Sequence, residues 1–164
     1  MNRSFLAAPI SLLMFFHSAA EATPYYVDNC GSDTLCNGQS SACAGSGTCA
    51  KKTIQAGINA TTTDGDVVVV ADGTYAGTGN KNLTFNNNRR ISVLCANEES
   101  GCTIDCDDSG RAFYFNGEQK VVTINGFTIL DGYVTTSSAG GAVGGGIAIL
   151  NSAPKIVDNI IQSC

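Results

Sequence analysis

The stretch "FYFNGEQKVVTINGFTI" (113–129) and the stretch "IAILNSAPKIVDNIIQ" (147–162) superimpose with one gap. Phe113 and Phe115 fall on Ile147 and Ile149, Ile124 falls on Val157, and Phe127 falls on Ile160. Asn125-Gly126 falls on Asp158-Asn159 at the one bend between two short strands. Gly and Asn tolerate the left-handed backbone that such a bend requires. A unit of two or three short strands cannot bury its own apolar face, but it can when stacked on copies of itself.

The rhythm extends outward from this repeat. Short strands are expected at 83–85, 91–95, 102–106, 112–115, 121–124, 127–130, 146–150, 155–157 and 160–162, separated by Gly, Asn and Asp turns. No helix of crossover length lies between them, which excludes a βαβ arrangement. Stacked in parallel at about 4.8 Å per layer, equivalent residues lie over one another and alternate side chains point inward. Ile91, Val93 and Cys95 then share one inward face, as do Cys102, Ile104 and Cys106, and Phe113 with Phe115. This is the logic of a parallel β-helix. "VVVVA" (67–71) is apolar at every position and reads as a strand buried on both faces. "KKTIQAGINATT" (51–62) is the one helical candidate, with Ile54 and Ile58 on one stripe and Gly57 weakening it.

The start of the 164-residue chain reads differently. Asn2 and Arg3 precede an apolar run from Phe5 to Phe16, and Ala20-Glu21-Ala22 supplies small residues for cleavage. This is the layout of a secretory signal over residues 1–22, too short for the roughly 20 apolar residues of a membrane span. A secreted or cell-surface protein without membrane insertion is expected. All eight cysteines, Cys30, Cys36, Cys43, Cys49, Cys95, Cys102, Cys106 and Cys164, follow that segment. An even number in an exported chain favours disulfides over a metal site. The first four lie 6, 7 and 6 residues apart, unlike zinc spacing, and the sole His is His17. Spacing does not determine connectivity. Nearest-neighbour pairing within 30–49, inside the Cys-rich loop region 23–50, is adopted as the expectation. The formal charge of −5 argues against nucleic-acid binding.

"KKTIQAGINATTTDGDVVVVADGTY", followed by "NLTF", "ISVLCANEESGCTIDCDDSGRAFYFNGE", "VVTINGFTILDGY" and "GGGIAILNSAPKIVDNII", resembles secreted repeat proteins of the pectin-lyase-like superfamily. The resemblance covers about 51–164 and is most like an uncharacterised bacterial group. It implies a right-handed parallel β-helix, here an all-β domain of about four coils over 51–164, with a short N-terminal capping helix at about 51–62. Relatives of that kind continue with many more coils. The chain is therefore read as truncated, with an open last layer at which it could self-associate.

The superfamily holds lyases, hydrolases, adhesins and proteins of no known activity, so function has to come from the site. The densest polar cluster is "DCDDSGR" (105–111). Asp105, Asp107 and Asp108 are candidate calcium ligands, because a hard cation takes several oxygens. Arg111 is the candidate base of a calcium-dependent polysaccharide lyase of pectate type. The competing reading is a solvated turn between two strands. The Gly-His-Gly signature of the hydrolase branch, Ser-His-Asp and Cys-His chemistry are all excluded, because no His lies beyond the signal. "GGAVGGG" (140–146) lacks the Lys of a phosphate loop and the Asp of a calcium repeat, and reads as a turn. Tyr114, facing outward between Phe113 and Phe115, is a candidate for stacking on a sugar ring. The leading functional expectation is an exported, non-catalytic scaffold associated with a surface or with polysaccharide. It requires no cofactor, and the lyase or a degraded relative, with calcium, stands as the alternative. A fragment without activity of its own is the third reading.

Overall fold

The computed structural model describes residues 21–43, 45–86, 88–97, 101–135 and 144–164. The elements in chain order are β1 (Pro24–Val27), α1 (Ile54–Ala60), β2 (Val67–Val70), β3 (Gly73–Ala76), β4 (Ser92–Cys95), β5 (Cys102–Asp105), β6 (Phe113–Asn116), β7 (Thr123–Asn125), β8 (Phe127–Leu130), β9 (Ile147–Leu150), β10 (Lys155–Val157) and β11 (Ile160–Gln162). The strands form three separate small parallel sheets. One has five strands in the order β1-β2-β4-β7-β10, one has four in the order β11-β8-β5-β3, and one pairs β6 with β9.

This corrects the expectation of a right-handed β-helix of about four coils. The described strands divide into sheets of unequal size with one seven-residue helix, instead of regular coils that each contribute the same strands. The reason lies in the third sheet. The expected strand at 83–85 is only an isolated bridge between Leu83 and Phe113. Conversely, β3 lies in "GTYA", where Gly and Ala are poor strand formers and the pattern gives little signal. It is recruited by pairing with β5 and by Tyr75, which is wholly buried and donates its hydroxyl to the Ala71 carbonyl at 2.8 Å.

The repeat stacks as expected in its first half. Phe113 pairs with Ile147 and Phe115 with Ile149. In the second half the register is shifted by one residue: Ile124 lies opposite Ile156, not Val157, and Ile160 lies opposite Thr128, not Phe127. Asn159 sets this register. Its Oδ1 accepts from the Phe127 N–H at 2.9 Å, and its Nδ2 donates to the Ile124 carbonyl at 3.0 Å. The left-handed residues of the two bends are accordingly Gly126 (φ 84°) and Asp158 (φ 49°).

The core lies between the sheets. Ile91, Val93, Cys95, Cys102, Ile104, Cys106, Phe113 and Phe115 are all buried, as the alternation predicts. Phe85 stacks on Phe115 with ring centroids 4.8 Å apart, and Phe127 meets Phe113 edge-on at 5.8 Å. The valine run is not buried on both faces. Val68 and Val70 are enclosed, whereas Val67 and Val69 are half-buried on the outer side. The last strands, β10 and β11, leave Ile156, Val157, Ile160 and Ile161 exposed.

Two local features hold the N-terminal half. Helix α1 is capped by Thr53, whose hydroxyl accepts from the Ala56 N–H, and it buries Ile54 and Ile58 as the stripe predicts. Gly57 is more than a weak helix former: a Cβ there would lie 2.5 Å from Val27 Cγ2 and 2.9 Å from Val68 Cγ1. The helix therefore rests directly on β1 and β2. The second feature is Asp66, whose side chain is buried. Its carboxylate accepts from the backbone N–H of Thr62 (2.7 Å), Thr63 (2.9 Å) and Thr23 (3.0 Å), and from the Thr63 hydroxyl (2.8 Å). Burial pushes the Asp66 carboxyl up, but the hydrogen bonds from Thr63, Thr62 and Thr23 together outweigh it, and its pKa lies below the usual carboxylate range.

Two outcomes follow. Gly57→Ala, which by helix propensity should stabilise by ~1 kcal/mol, should instead destabilise by about 1–3 kcal/mol through overpacking, as read in urea unfolding. Because the folded pKa of Asp66 is depressed, its contribution is fully present above the unfolded value of about 3.9 and is lost as pH falls through the folded value. Asp66→Asn should lower stability at pH 7 by about 2–3 kcal/mol. Below pH 4 the difference from the parent protein should shrink, which thermal melts across pH would detect.

Candidate functional site

The turn after β5 carries the cluster singled out in the sequence. Asp105 Oδ1 accepts from the Asp107 N–H at 2.9 Å, and Asp107 and Asp108 both adopt left-handed backbone (φ 49° and 48°). Into this turn reaches Lys81. Its ammonium donates to the Cys106 carbonyl at 2.7 Å, to the Ser109 hydroxyl at 2.9 Å and to Asp107 Oδ2 at 3.2 Å. The turn thus already holds a cation supplied by the chain itself. Asp107 is mostly exposed and Lys81 mostly covered. Sequence reading passed over Lys81, because it stands 26 residues before Asp107 and no local pattern marks it.

Arg111 follows the same turn and is only 7% exposed. Its backbone is clamped to Asn82: the Asn82 N–H donates to the Arg111 carbonyl at 2.6 Å, and the Arg111 N–H donates to Asn82 Oδ1 at 3.2 Å. Its guanidinium carbon lies over the Tyr114 ring, 5.1 Å from the centroid, a cation–π distance. Its Nη1 is buried without a hydrogen-bond partner. Tyr114 is therefore half-buried beneath a guanidinium, not a free outward platform.

A cleft of about 380 Å³ opens here, lined by Asn82, Asp108, Ser109, Gly110, Arg111 and Tyr133 together with Val134 and Thr135. Gly110 ties two of its walls together. Its N–H donates to the Tyr133 carbonyl at 2.6 Å, and a Cβ at this left-handed glycine would strike the Asn82 amide. Tyr133 is 60% exposed and forms the accessible aromatic wall. Of the acidic candidates, Asp108 lines the cleft, while Asp105 and Asp107 face the Lys81 turn.

Other residues with metal-ligand chemistry lie elsewhere. Asp28, Cys30 and Cys43, and likewise Asp72, Cys95 and Cys102, each bring ligand atoms within 4.8 Å of one another. In both groups the sulfurs are joined, as Cys30–Cys43 and Cys95–Cys102, so holding a metal there would require reduction. Nothing in either group selects calcium, which prefers a set of oxygens.

The disulfides correct the nearest-neighbour expectation. Cys30 pairs with Cys43 and Cys36 with Cys49, an interlocked arrangement. Residues 36–38 run alongside 47–49, with Asn37 N–H donating to the Gly47 carbonyl and Gly38 N–H to the Cys49 carbonyl, and this brings Cys36 to Cys49. Cys95–Cys102 closes the connection from β4 to β5. Cys106 and Cys164, also read as disulfide candidates, are free thiols. Three disulfides fit an oxidising environment. Among the described residues no helix is long and apolar enough to cross a membrane. The apolar run of the secretory signal and most of "GGAVGGG" lie outside the described residues.

Compared with known protein families, with curated proteins and with solved structures, the chain matches none.

The two thiols should behave differently. Burial pushes the Cys106 thiol up to about 11, with Cys164 adding to the shift, so Cys106 is protonated at neutral pH. Cys164 is exposed. A maleimide or aromatic disulfide reagent at pH 7.5 should label Cys164 alone in the native protein, and Cys106 only after denaturation. Peptide mapping by mass spectrometry reads the outcome.

Proposed function

We propose that this chain is an exported, non-catalytic scaffold that holds polysaccharide at the cleft beside Arg111. The observation that carries the reading is the cleft of about 380 Å³ lined by the exposed Tyr133 together with the polar residues Asn82, Asp108 and Ser109. An exposed ring beside polar side chains is the setting that sugar rings use: an apolar face to stack on and partners for hydroxyl groups. The cleft rests on hydrogen bonds within two pairs of residues, Asn82 with the Arg111 backbone and the Gly110 N–H with the Tyr133 carbonyl, which hold its lining in place. The disulfides fit an extracellular setting, and the sequence resemblance to secreted pectin-lyase-like proteins favours a carbohydrate ligand.

Two features weigh against the lyase alternative. The ammonium of Lys81 sits in the acidic turn where a calcium ion was expected, and adding a divalent cation beside it would be repulsive. The guanidinium of Arg111, which the lyase reading needs as its base, is engaged over the Tyr114 ring.

The test is affinity electrophoresis of the purified, disulfide-intact protein through gels containing a panel of plant, algal and bacterial polysaccharides. At least one should retard it, without accumulation of unsaturated product absorbing in the ultraviolet. Tyr133→Ala should weaken that retention about tenfold, equivalent to ~1.4 kcal/mol. Free migration in every gel, or calcium-dependent release of unsaturated product, would sink the reading.

A further inference from the structure

We infer that the Arg111 cleft is an oxyanion site: a carboxylate, sulfate or phosphate group of the ligand pairs with the guanidinium of Arg111. The inference rests on the cleft being the ligand site, and it does not require the ligand to be a polymer.

Arginine is almost never buried without a partner, because its guanidinium carries five N–H donors and a permanent charge. Arg111 is 93% covered and its Nη1 has no hydrogen-bond partner. The ring of Tyr114 offsets part of the charge but accepts no conventional hydrogen bond from the edge of the guanidinium plane. Leaving charged donors unsatisfied costs more than an ordinary hydrogen bond contributes. Arg111 lines the cleft, and a guanidinium is matched by a group with two acceptor oxygens, which it binds in bidentate fashion. The neighbouring cation, Lys81, already has three oxygen partners, so it does not compete for the ligand. Asp108 lines the same cleft and opposes an anion, so its charge sets how tightly the site binds.

The experiment is isothermal titration of the intact protein with sodium sulfate, sodium phosphate and sodium acetate, each at fixed ionic strength against sodium chloride. At least one should bind saturably at one site, and the tightest identifies the source group. Arg111→Gln should weaken binding at least tenfold. Asp108→Asn, at an exposed left-handed position that Asn accepts readily, should tighten it about two- to fivefold. Phenylglyoxal footprinting supplies a readout that needs no variant: the anion should protect Arg111 and leave Arg89 and Arg90 unchanged. Absence of saturable binding, binding unaltered in both variants, or footprints that the anion does not change would each overturn the inference. Retention of Arg111→Gln on a neutral polysaccharide would remove the oxyanion site and leave the polysaccharide reading standing. Anion binding with no retention on any polysaccharide would do the reverse.

Discussion

Parallel pairing in strict register is the constraint on which this structure depends. Each strand is three or four residues long and could not persist alone. Stability comes from laying Val68 over Val93 and Val93 over Ile124 in one sheet, and Tyr75, Ile104 and Ile129 in another. A slip of one residue would turn every inward side chain to solvent. The chain therefore fixes its register with polar anchors that accept no alternative, such as the Asn159 amide spanning Phe127 and Ile124 and the Asp66 carboxylate gathering Thr23, Thr62 and Thr63.

The candidate site is a product of the same stacking. Pairing of β3 with β5 carries the segment around Lys81 and Asn82 up to the turn at 105–111. Lys81 pairs with Asp107 in the acidic turn, and Asn82 clamps the Arg111 backbone. What looks in one dimension like a cluster of three carboxylates and an arginine separates in three dimensions into two places. One is a turn whose polar groups are taken up by a lysine, and the other is a cleft lined by an arginine whose Nη1 has no hydrogen-bond partner. The proposed ligand belongs to the second.

Much of the fold was legible because strand periodicity is local. Alternation placed Ile91, Val93, Ile104, Phe113 and Phe115 inside, and each is buried. The repeat placed Phe113 over Ile147 correctly. The second half slipped by one residue because the turn before β10 is two residues shorter than the one before β7, where the alignment allowed a single gap, and the difference shows only in the pairing of Ile124 with Ile156. Strand β3 escaped notice because "GTYA" has no alternation strong enough to read. The Gly57 contact escaped because a glycine in a helix signals weakness in sequence, whereas its true role depends on how closely β1 and β2 approach. At the site, Arg111 and Asp108 were identifiable from "DCDDSGR", but their roles were not.

Sequence by itself determined that the chain is strand-rich, which side chains point inward, where the left-handed bends fall, and that its cysteines suit an oxidising environment. Tertiary structure alone decided that the strands divide into three parallel sheets in place of uniform coils. It also decided that Cys30 and Cys36 cross to Cys43 and Cys49, that Cys106 and Cys164 stay free, and that a lysine enters the acidic turn. The physical reason is the range of the interactions. Inward and outward facing follows from neighbours two residues apart, whereas pairing partners and charge neighbours are set by segments tens of residues away, brought together only when the layers close.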